Sequence, residues 1–547
     1  MHRTARQLVG LLLVLLIGPL ARAQTWGSCE TGNAQRVLET PILQASMFNT
    51  GSLFFGGETT AGDGYLIPKQ ITTSFGRGLS PVFAAGLWLG GTVGDSVRVA
   101  AARYGRWDFW PGPLEDAASP PTDCSTYDRI YVVSRDDIRR YYETGELTDD
   151  LRDWPHPLGA PVIDGDGDST NYDLRAGDQP DLIGDVAAWW VMNDAGNDHG
   201  IYHSNGPLGV EVRVLAFDYG KRTPSRLWEA TFFRYEITNR GDQPIEQMYA
   251  SLFADPDLGD ASDDYIGTDT LRNMVFVYND SNEDANYGVP PAWGMQILKG
   301  PIVDEDTLGM TTSGTWVSSG PTGTTDPATA DEYYNFMQGL WGDGSPRMEG
   351  GFGFESGGPT TLFMYPGDPV TESFWSETNT EGDGTDSQPG DRRMVGSTGP
   401  FTLNPDSTQT LLFAMPFGQG TDYLHSIIVM RGLAGALQQA HAAGYFTSRR
   451  VEGQPVDPAT EALRLSRVAP NPSRAGAIAR LNLPSSSPVH AAVYDILGRQ
   501  LEVLVDGVLP EGETELAIPE RLPPGTYRLR VRVAPGGEET LTFTVAR

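Results

Sequence analysis

The sequence predicts a mostly β protein, with a β-sandwich-rich body that has few helices and a small C-terminal Ig-like β-sandwich. One observation is composition, since 65 glycines and 40 prolines in 547 residues are typical of turns between short strands. Another is the alternation of apolar and polar residues in short runs. A third is charge, since residues 24–462 contain 26 basic and 62 acidic residues whereas residues 463–547 contain 10 and 9. That change indicates a domain boundary near residue 460, and the length predicts two or three domains.

Residues 1–23 have the pattern of a secretory signal peptide. Arg3 and Arg6 supply the positive end, an apolar core runs from Leu8 to Leu20, and Ala21-Arg22-Ala23 is a small-residue cleavage site. The core is too short for a membrane anchor. No other stretch approaches the roughly 20 apolar residues of a transmembrane helix. We therefore expect export, and no transmembrane segment in the mature chain.

The acidic balance of the chain restricts its partners. The full sequence has a formal net charge of −32. Because the phosphates of a nucleic acid would be repelled, we expect no nucleic-acid partner. The same charge favours cations, solubility or a high-salt habitat.

Residues 24–160 are predicted to form an N-terminal β-rich region. Strand-like runs between glycine turns lie at 51–56, 82–90 and 97–104. A helix is predicted from Ser134 to Thr144, because Ser134 can cap it and acidic residues follow in its first turn.

The two cysteines of the sequence are Cys29 and Cys124. In an oxidising compartment such a pair most simply forms one disulfide. A catalytic thiol is the alternative.

Residues 161–445 are predicted to form an acidic, β-sandwich-like body. We expect strands at 189–192, 210–218, 227–238, 248–253 and 409–415. A Gly/Thr/Ser tract at 311–325 and a Gly/Asp tract at 379–391 are predicted to be long surface loops.

The end of the body is predicted to be helical. Apolar residues recur at helical spacing between Tyr423 and Ala443. Residues 446–464, which are rich in Pro, Glu and Arg, are predicted to be a linker.

The densest group of acidic residues follows the predicted strand 248–253. Six aspartates lie within fifteen residues, with glycines that let the backbone turn among them: Asp255, Asp257, Asp260, Asp263, Asp264 and Asp269. These carboxylates repel one another unless a cation lies among them, and calcium accepts about six to eight oxygens in irregular loops. The spacing excludes an EF-hand. We therefore expect calcium here, with a solvated acidic loop or a catalytic acid pair as the alternatives.

A second candidate calcium loop lies earlier in the chain. It contains Asp164, Asp166, Asp168 and Asp173, and it begins with the Asp-x-Asp-x-Asp pattern of a calcium loop. Ser169 stands where an EF-hand has glycine, and Arg175 stands where the closing glutamate would be. These departures weaken the EF-hand interpretation, but they leave a different calcium loop open.

Residues 465–547 carry the most specific signal in the sequence. Alternating runs at 491–496, 501–505, 526–533 and 540–545 predict a small all-β sandwich. Three separated motifs accompany them, and their residues are Pro470, Asn471, Pro472, Tyr494, Asp495, Gly498, Arg499, Gly525 and Tyr527. In that order the motifs resemble the type A C-terminal sorting domain of the bacterial type IX secretion system.

The resemblance implies a route and a partner. A chain with this domain would be exported through the periplasm by the type IX secretion machinery, then released or attached at the outer cell surface. The order of acidic and glycine motifs in the body also resembles uncharacterised type IX-secreted surface proteins. That second resemblance covers most of residues 40–445 and implies no known activity.

Enzyme signatures are sparse in the body. The sequence has no Gly-x-Ser-x-Gly, no His-Glu-x-x-His and no phosphate-binding glycine loop with lysine. His199 and His203 are four residues apart, but the glycines and proline around them favour a loop over a metal-binding helix. We expect a non-enzymatic protein with an adhesion, surface-layer or binding role toward a surface glycan or protein. An extracellular hydrolase acting on glycan or protein is the alternative.

Overall fold

The computed structural model describes residues 27–55, 64–69, 79–115, 118–199, 206–220, 226–379, 387–453, 464–465, 468–472, 477–483, 486–510, 512–534 and 537–546. The predicted signal peptide, residues 1–23, lies outside these residues, as does most of the predicted linker.

The chain divides into two compact units. One comprises the described residues within Met1–Val132, Pro157–Gly159 and Ile183–Ser448. The other comprises those within Val133–His156, Ala160–Leu182 and Arg449–Arg547. We call them the larger and the smaller unit.

Strands supply most of the regular structure. Up to residue 420 they are β1 Gln35–Glu39, β2 Gln44–Phe48, β3 Ser52–Leu53, β4 Tyr65–Leu66, β5 Ala84–Val93, β6 Ser96–Arg103, β7 Arg106–Trp107, β8 Trp110–Pro111, β9 Tyr131–Ser134, β10 Val162–Ile163, β11 Gln179–Pro180, β12 Val186–Asn193, β13 Val210–Asp218, β14 Ala230–Asn239, β15 Ile245–Asp255, β16 Asp264–Asp269, β17 Met274–Asn279, β18 Ala292–Lys299, β19 Ile302–Val303, β20 Asp306–Thr307, β21 Thr312–Val317, β22 Arg392–Leu403 and β23 Thr408–Gly418.

After residue 420 the strands are β24 Arg464–Leu465, β25 Ile478–Leu483, β26 Ser487–Asp495, β27 Gln500–Leu509, β28 Gly512–Ala517, β29 Gly525–Val533 and β30 Gly537–Val545. The α-helices of the described chain are α1 Arg135–Thr144, α2 Asp149–Arg152, α3 Ala330–Met337 and α4 Tyr423–Ala442.

Two antiparallel sheets form the larger unit. The first sheet has the order β1-β2-β3-β5-β15-β22-β21, with β4 beside β2, β6 beside β5 and β7 beside β6. The second sheet has the order β16-β17-β18-β23-β14-β13-β12-β8. One hydrophobic core unites side chains from both sheets, so they pack as a sandwich. The predicted fold class, mostly β with a sandwich-rich body, is confirmed.

Alternation along each strand fills this core. On β14, Phe233, Tyr235 and Ile237 point into it, and on β5, Leu87 and Leu89 meet them from the first sheet. Each such side chain is at most 1% exposed. Full burial of one large apolar side chain contributes about 1.5–3 kcal/mol, which makes this core the main stabilising feature.

The outer faces of both sheets are covered as well. On the second sheet, Ile427 and Met430 of α4 pack against Phe276 and Tyr278 of β17. On the first sheet, α3 and residues 338–379 form an aromatic layer that includes Trp316 of β21. The strands are therefore buried on two sides, and their sequences are correspondingly rich in apolar residues.

The two predicted helices are confirmed. Ser134 caps α1 through a capping box, because its hydroxyl accepts the N–H of Asp137 and the Asp137 carboxylate accepts the Ser134 N–H. Asp422 caps α4 by accepting the N–H of His425 at 2.8 Å.

Two expectations from the sequence are wrong. Leu227–Glu229 is a 3-10 turn and not the start of a strand, because the Arg226 carbonyl accepts the Glu229 N–H and their side chains form an ion pair. Within the tract 311–325, Thr312–Val317 forms β21 and is mostly buried. Its glycine and threonines are small enough to lie under the aromatic layer, so they do not mark a surface loop.

In the smaller unit, residues 464–546 form two sheets. Their orders are β24-β25-β28 and β27-β26-β29-β30, and both contribute to one core that contains Leu481, Val493 and Leu529. This unit also contains α1, α2 and the short hairpin β10-β11 with the Asp164 loop between its strands.

A disulfide joins Cys29 to Cys124, whose Cα atoms are 5.4 Å apart. Both cysteines are buried beside Trp110. No described helix combines the length and the apolar character that crossing a membrane would require.

Candidate functional site

The acidic loop connects the two sheets of the sandwich. It leaves the first sheet where β15 ends at Asp255 and enters the second where β16 begins at Asp264. Gly259 turns the backbone with a φ of +85°, and a Cβ there would clash with the carboxylate of Asp284. The loop therefore lies directly against a buried acidic side chain from later in the chain.

Asp284 holds this loop in place. It is 6% exposed, and its carboxylate accepts the backbone N–H groups of Asp260 at 3.0 Å and Asn286 at 2.8 Å, and also that of Tyr287. Three backbone donors fix its orientation but bring no full positive charge to the site.

Asp264 and Asn279 face one another at the ends of β16 and β17. Their Cα atoms are register partners, and both residues are 0% exposed. Asp264 Oδ2 accepts the N–H of Leu258 at 3.2 Å, whereas its Oδ1 accepts no hydrogen bond from the described chain. Both Oδ1 and Nδ2 of Asn279 lack a partner there too, and so does Oδ1 of Asp263. In native structures such atoms are satisfied by bound water or by an ion.

The charge of this cluster is uncompensated. Burial raises the pKa of Asp264 well above its ordinary value, and the carboxylates of Asp257, Asp263 and Asp284 raise it further. Burial, followed by the charges of Asp284, Asp260 and Asp280, raises the pKa of Asp263 to about 7. Within the described residues, no basic side chain forms an ion pair with Asp263, Asp264 or Asp284. We call Asp263, Asp264, Asn279 and Asp284 the acidic cluster; the carboxylate oxygens of its three aspartates do not all lie within 4.8 Å of one another.

The beginning of the acidic loop, at Asp255 and Asp257, has a positively charged side chain beside it. Carboxylate oxygens of Asp255, Asp257 and Asp391 lie within 4.8 Å of one another. Arg393 compensates them, because its Nε lies 3.6 Å from Asp255 Oδ1 and its Nη1 bonds Asp391. Burial raises the pKa of Asp255 to about 6, and the charge of Arg393 opposes that increase.

Two of the predicted ligands have other partners. Asp269 forms ion pairs with Arg272 at 2.8 Å and with Arg431 at 3.2 Å. Asp260 accepts the N–H of Ser262 at 3.0 Å and its hydroxyl at 2.8 Å. No side-chain oxygen of either residue is among the buried atoms that lack a hydrogen-bond partner.

The second predicted calcium loop gathers a different set of residues. Asp164 and Asp166 come together with Asp178, and their carboxylate oxygens lie within 4.8 Å. Asp178 is buried, and it accepts the N–H groups of Gly165 at 2.8 Å and Asp173 at 2.7 Å.

The remaining two aspartates of that loop form local turns. The carboxylate of Asp168 accepts the N–H of Thr170, and that of Asp173 accepts the N–H of Arg175. Asp164 and Asp166 are exposed. Solvent and backbone donors therefore satisfy most of the charge in this loop.

Sequence reasoning missed Asn279, Asp284, Asp178 and Asp391. Asn279 and Asp284 come 15 and 20 residues after Asp264, and only strand pairing brings Asn279 next to it. A usable signal existed for Asp178, because Gly177-Asp178-x-Pro180 stands out in the sequence beside the Asp164 loop.

Of the two histidines that lie four residues apart in the sequence, the structure describes only His199. Both ring nitrogens of His199 lie within hydrogen-bonding distance of backbone carbonyl oxygens, those of Val99 at 2.9 Å and Asp194 at 2.7 Å. Burial lowers the pKa of His199 to about 4. His203 lies outside the described residues. His199 is thus a packed core side chain whose neutral ring can donate its single N–H to one of these carbonyl oxygens.

The residues of the sorting motifs shape turns in the C-terminal sandwich. Asp495 accepts the N–H groups of Leu497 and Arg499 at 2.9 Å, in the turn between β26 and β27, where Gly498 has a φ of +80°. Asn471 Oδ1 accepts the N–H of Thr544 at 2.9 Å, and Tyr527 donates its hydroxyl to the Pro523 carbonyl at 2.6 Å.

The sequence of this chain was compared with protein-family models and curated proteins, and its fold with solved structures. No protein-family model matches the sequence, and no curated protein matches it. Among solved structures, a polysaccharide lyase aligns with 61% of this chain and 34% of its own length, at 10% identity and a TM-score of 0.17. The aligned part is thus about a third of that lyase, and so low a score gives no basis for transferring a fold or an activity.

Proposed function

We propose that this chain is a secreted or cell-surface, non-enzymatic protein with an adhesion, surface-layer or binding role, exported by type IX secretion, with a body stabilised by calcium. The observation that carries the calcium part is the acidic cluster. Buried oxygens of Asp263, Asp264 and Asn279 accept no hydrogen bond from the described chain, and no basic residue compensates their charge.

The chemistry of the acidic cluster favours calcium over other cations. Its donors are carboxylate and amide oxygens, which suit hard cations, and it has no cysteine or histidine to favour zinc or copper. Its oxygens come from an irregular loop and two strand ends, and calcium tolerates irregular geometry whereas magnesium demands a near-ideal octahedron. A bound calcium ion would supply the missing positive charge and would tie the ends of β16 and β17 to the loop from β15.

The structural position of the acidic cluster favours stabilisation over catalysis. Asp264 and Asn279 are fully buried between the strands, so a substrate has no access to them. The charge they present is useful to the fold only if an ion neutralises it.

Calcium binding is tested by titrating CaCl2 into the chelator-treated full chain, expressed without residues 1–23, in a calorimeter. Asp264→Asn should weaken calcium binding at least tenfold. It should also remove most of the rise in melting temperature with calcium, which for a ligand at about 100 times its Kd amounts to a few degrees. In EDTA the variant should be no less stable than the wild type, because a neutral amide replaces a buried carboxyl group that has no compensating cation.

Asp406→Asn is the control, since Asp406 is an exposed aspartate in the turn between β22 and β23. It should leave the calcium affinity unchanged. An Asp264→Asn variant that binds calcium as tightly as the wild type would refute the site. Asp166→Asn would then show whether the Asp164 loop is responsible.

The export part of the proposal rests on the order of the sorting motifs in the sequence. The hydrogen bonds of Asp495, Asn471 and Tyr527 support it, because they give those motif residues a role in one folded module. Deleting residues 465–547 should leave the body in the periplasm, as measured by fractionating cells of a host with type IX secretion. Unimpaired delivery of the truncated chain to the surface would refute the proposal that residues 465–547 are a sorting domain.

A further inference from the structure

We propose that the free edge of β21 is a docking site for an extended polypeptide segment that inserts an aromatic side chain into an adjoining pocket. β21 is the last strand of the first sheet in the described chain, and it pairs with β22 on its other side. This inference rests on the proposed binding role, for which it names the ligand class, but it requires neither calcium nor type IX export.

The first half of this edge is already occupied. The N–H of Ser313 donates to the Leu362 carbonyl at 3.0 Å, and the Ser313 carbonyl accepts the N–H of Met364 at 3.4 Å. Residues 362–364 therefore run beside β21 as a short parallel segment. They show that the backbone groups of Ser313 point away from β22.

The second half of the edge is unpaired among the described residues, and of its two outward-facing residues Val317 is half-buried and Thr315 is 4% exposed. Tyr365 has a φ of +51°, and its carbonyl accepts the N–H of Thr268, so the covering segment turns away toward β16. In an antiparallel pair every second residue directs its N–H and C=O away from the partner strand. Thr315 and Val317 are alternate residues after Ser313, so their backbone N–H and C=O groups also point away from β22. In the described chain these groups form no hydrogen bond with a residue outside the β21–β22 ladder.

A pocket of about 460 Å³ adjoins this half of the edge. Trp316 and Trp341 line it together with Phe352 and Phe354. Trp316 is stacked on Phe336 with ring centroids 4.6 Å apart, so the floor of the pocket is held rigidly. Phe352 is 55% exposed, which leaves an aromatic wall open to a ligand.

Aromatic side chains dominate the pocket, although Ser319, Thr324, Ser387 and Gln388 also line it. The indole N–H of Trp316 donates to Asp326 at 2.9 Å, and that of Trp341 donates to the Gly353 carbonyl at 3.0 Å. These rings therefore offer a ligand mainly their carbon surfaces. An aromatic side chain matches them, because aromatic rings pack favourably edge-to-face or offset.

Charge narrows the choice of ligand further. Arg392 lines the pocket, but its Nη2 is paired with Glu377 Oε2 at 2.8 Å, so the pocket carries no net positive charge. A neutral side chain is therefore favoured inside it. Outside the pocket, residues 24–462 have 36 more acidic than basic residues, so basic residues flanking the inserted side chain would be attracted.

Together these features match strand addition. In that mode the edge hydrogen bonds hold an extended peptide, and a pocket beside the strand selects alternate side chains. The ligand we infer is an extended, basic-flanked segment with a central aromatic residue.

The test uses fluorescence anisotropy with the full chain, without residues 1–23, and a labelled peptide of sequence Arg-Thr-Val-Phe-Val-Thr-Arg. Replacing its Phe by Ala, or methylating its backbone nitrogens, should each weaken binding at least tenfold. Running the titration in calcium and in EDTA separates the two proposals. Binding in calcium but not in EDTA would show that the peptide site depends on the calcium-stabilised body. Absence of binding in both buffers would overturn the peptide-docking proposal.

Two variants of the protein locate the site. Val317→Pro removes an N–H that faces the free edge, so the sheet should tolerate it while the peptide loses a hydrogen bond. Phe352→Ala removes the exposed wall of the pocket, and Phe374→Ala is its control because Phe374 is 43% exposed and does not line the pocket.

We expect Val317→Pro and Phe352→Ala to weaken peptide binding about tenfold, and Phe374→Ala to leave it unchanged. Equal binding by Phe352→Ala and Phe374→Ala would overturn the pocket assignment, even if Val317→Pro failed to fold. A concentration-dependent dimer in sedimentation that Val317→Pro abolishes would show that the edge pairs with a second copy, and would overturn the peptide assignment.

Discussion

Gly314 of β21 lies directly against the guanidinium group of Arg347. A Cβ at position 314 would come closer than 3.0 Å to the Arg347 nitrogens, so only glycine leaves room for this side chain. Arg347 is 0% exposed and donates to the carbonyls of Ser313 and Phe336. Its guanidinium carbon lies 5.7 Å from the centroid of the Trp341 ring. The pair joins the edge strand to the aromatic layer.

We therefore expect Gly314→Ala to destabilise the protein by about 1–3 kcal/mol, the usual cost of overpacking. Chemical denaturation monitored by tryptophan fluorescence measures the change. Gly432→Ala is the control, because Gly432 is exposed in the middle of α4 and a Cβ there meets nothing within 4 Å. It should stabilise by up to about 1 kcal/mol, since alanine favours a helix over glycine. If both substitutions changed the free energy of unfolding in the same direction, the close contact between Gly314 and Arg347 would be contradicted.

Asp218 gives a pH dependence to stability. It is 1% exposed, and burial raises its pKa to about 8, from an ordinary value of 3.8. The folded state therefore keeps a proton that the unfolded state releases, and stability is lost as pH rises from about 4 to about 8. Asp218→Asn should remove up to about 5 kcal/mol of that loss.

Denaturation midpoints of wild type and Asp218→Asn in EDTA, between pH 5 and 8, test this expectation. The difference between the two proteins isolates Asp218 from other buried carboxyl groups. Asp242→Asn, at an exposed turn residue between β14 and β15, should follow the wild type. Parallel curves for wild type and Asp218→Asn would mean that Asp218 does not titrate as we describe.

The disulfide should stabilise the larger unit, because it lowers the conformational entropy of the unfolded chain. It joins residues 95 apart in sequence, and closing a loop of that length contributes about 4–5 kcal/mol in the chain-entropy model. The double variant Cys29→Ala, Cys124→Ala should therefore unfold at a lower guanidinium concentration than the oxidised wild type. Wild type treated with reductant should match the double variant. If reduction leaves the midpoint unchanged, the disulfide contributes no stability.

Local patterns predicted much of the fold. The alternation at 210–218 coincides with β13, and the spacing in 423–443 predicted α4, because both signals depend on neighbours within one element. Thr312–Val317 escaped prediction since its small residues depend on Arg347 and the aromatic layer, which are distant in sequence. Of the acidic cluster, the sequence indicated Asp263 and Asp264. It did not indicate Asn279 or Asp284, which only strand register and a tertiary contact place there.

The position of β23 has a consequence for how the chain folds. This strand lies between β14 and β18, so the second sheet remains two separate halves until residues 408–418 are present. β22, which joins β15 to β21, likewise comes from beyond residue 390. Contacts of such long sequence separation form slowly. A nascent chain therefore cannot close its sandwich before most of it has been synthesised. Any truncation before residue 418 should therefore leave unpaired strand edges that aggregate.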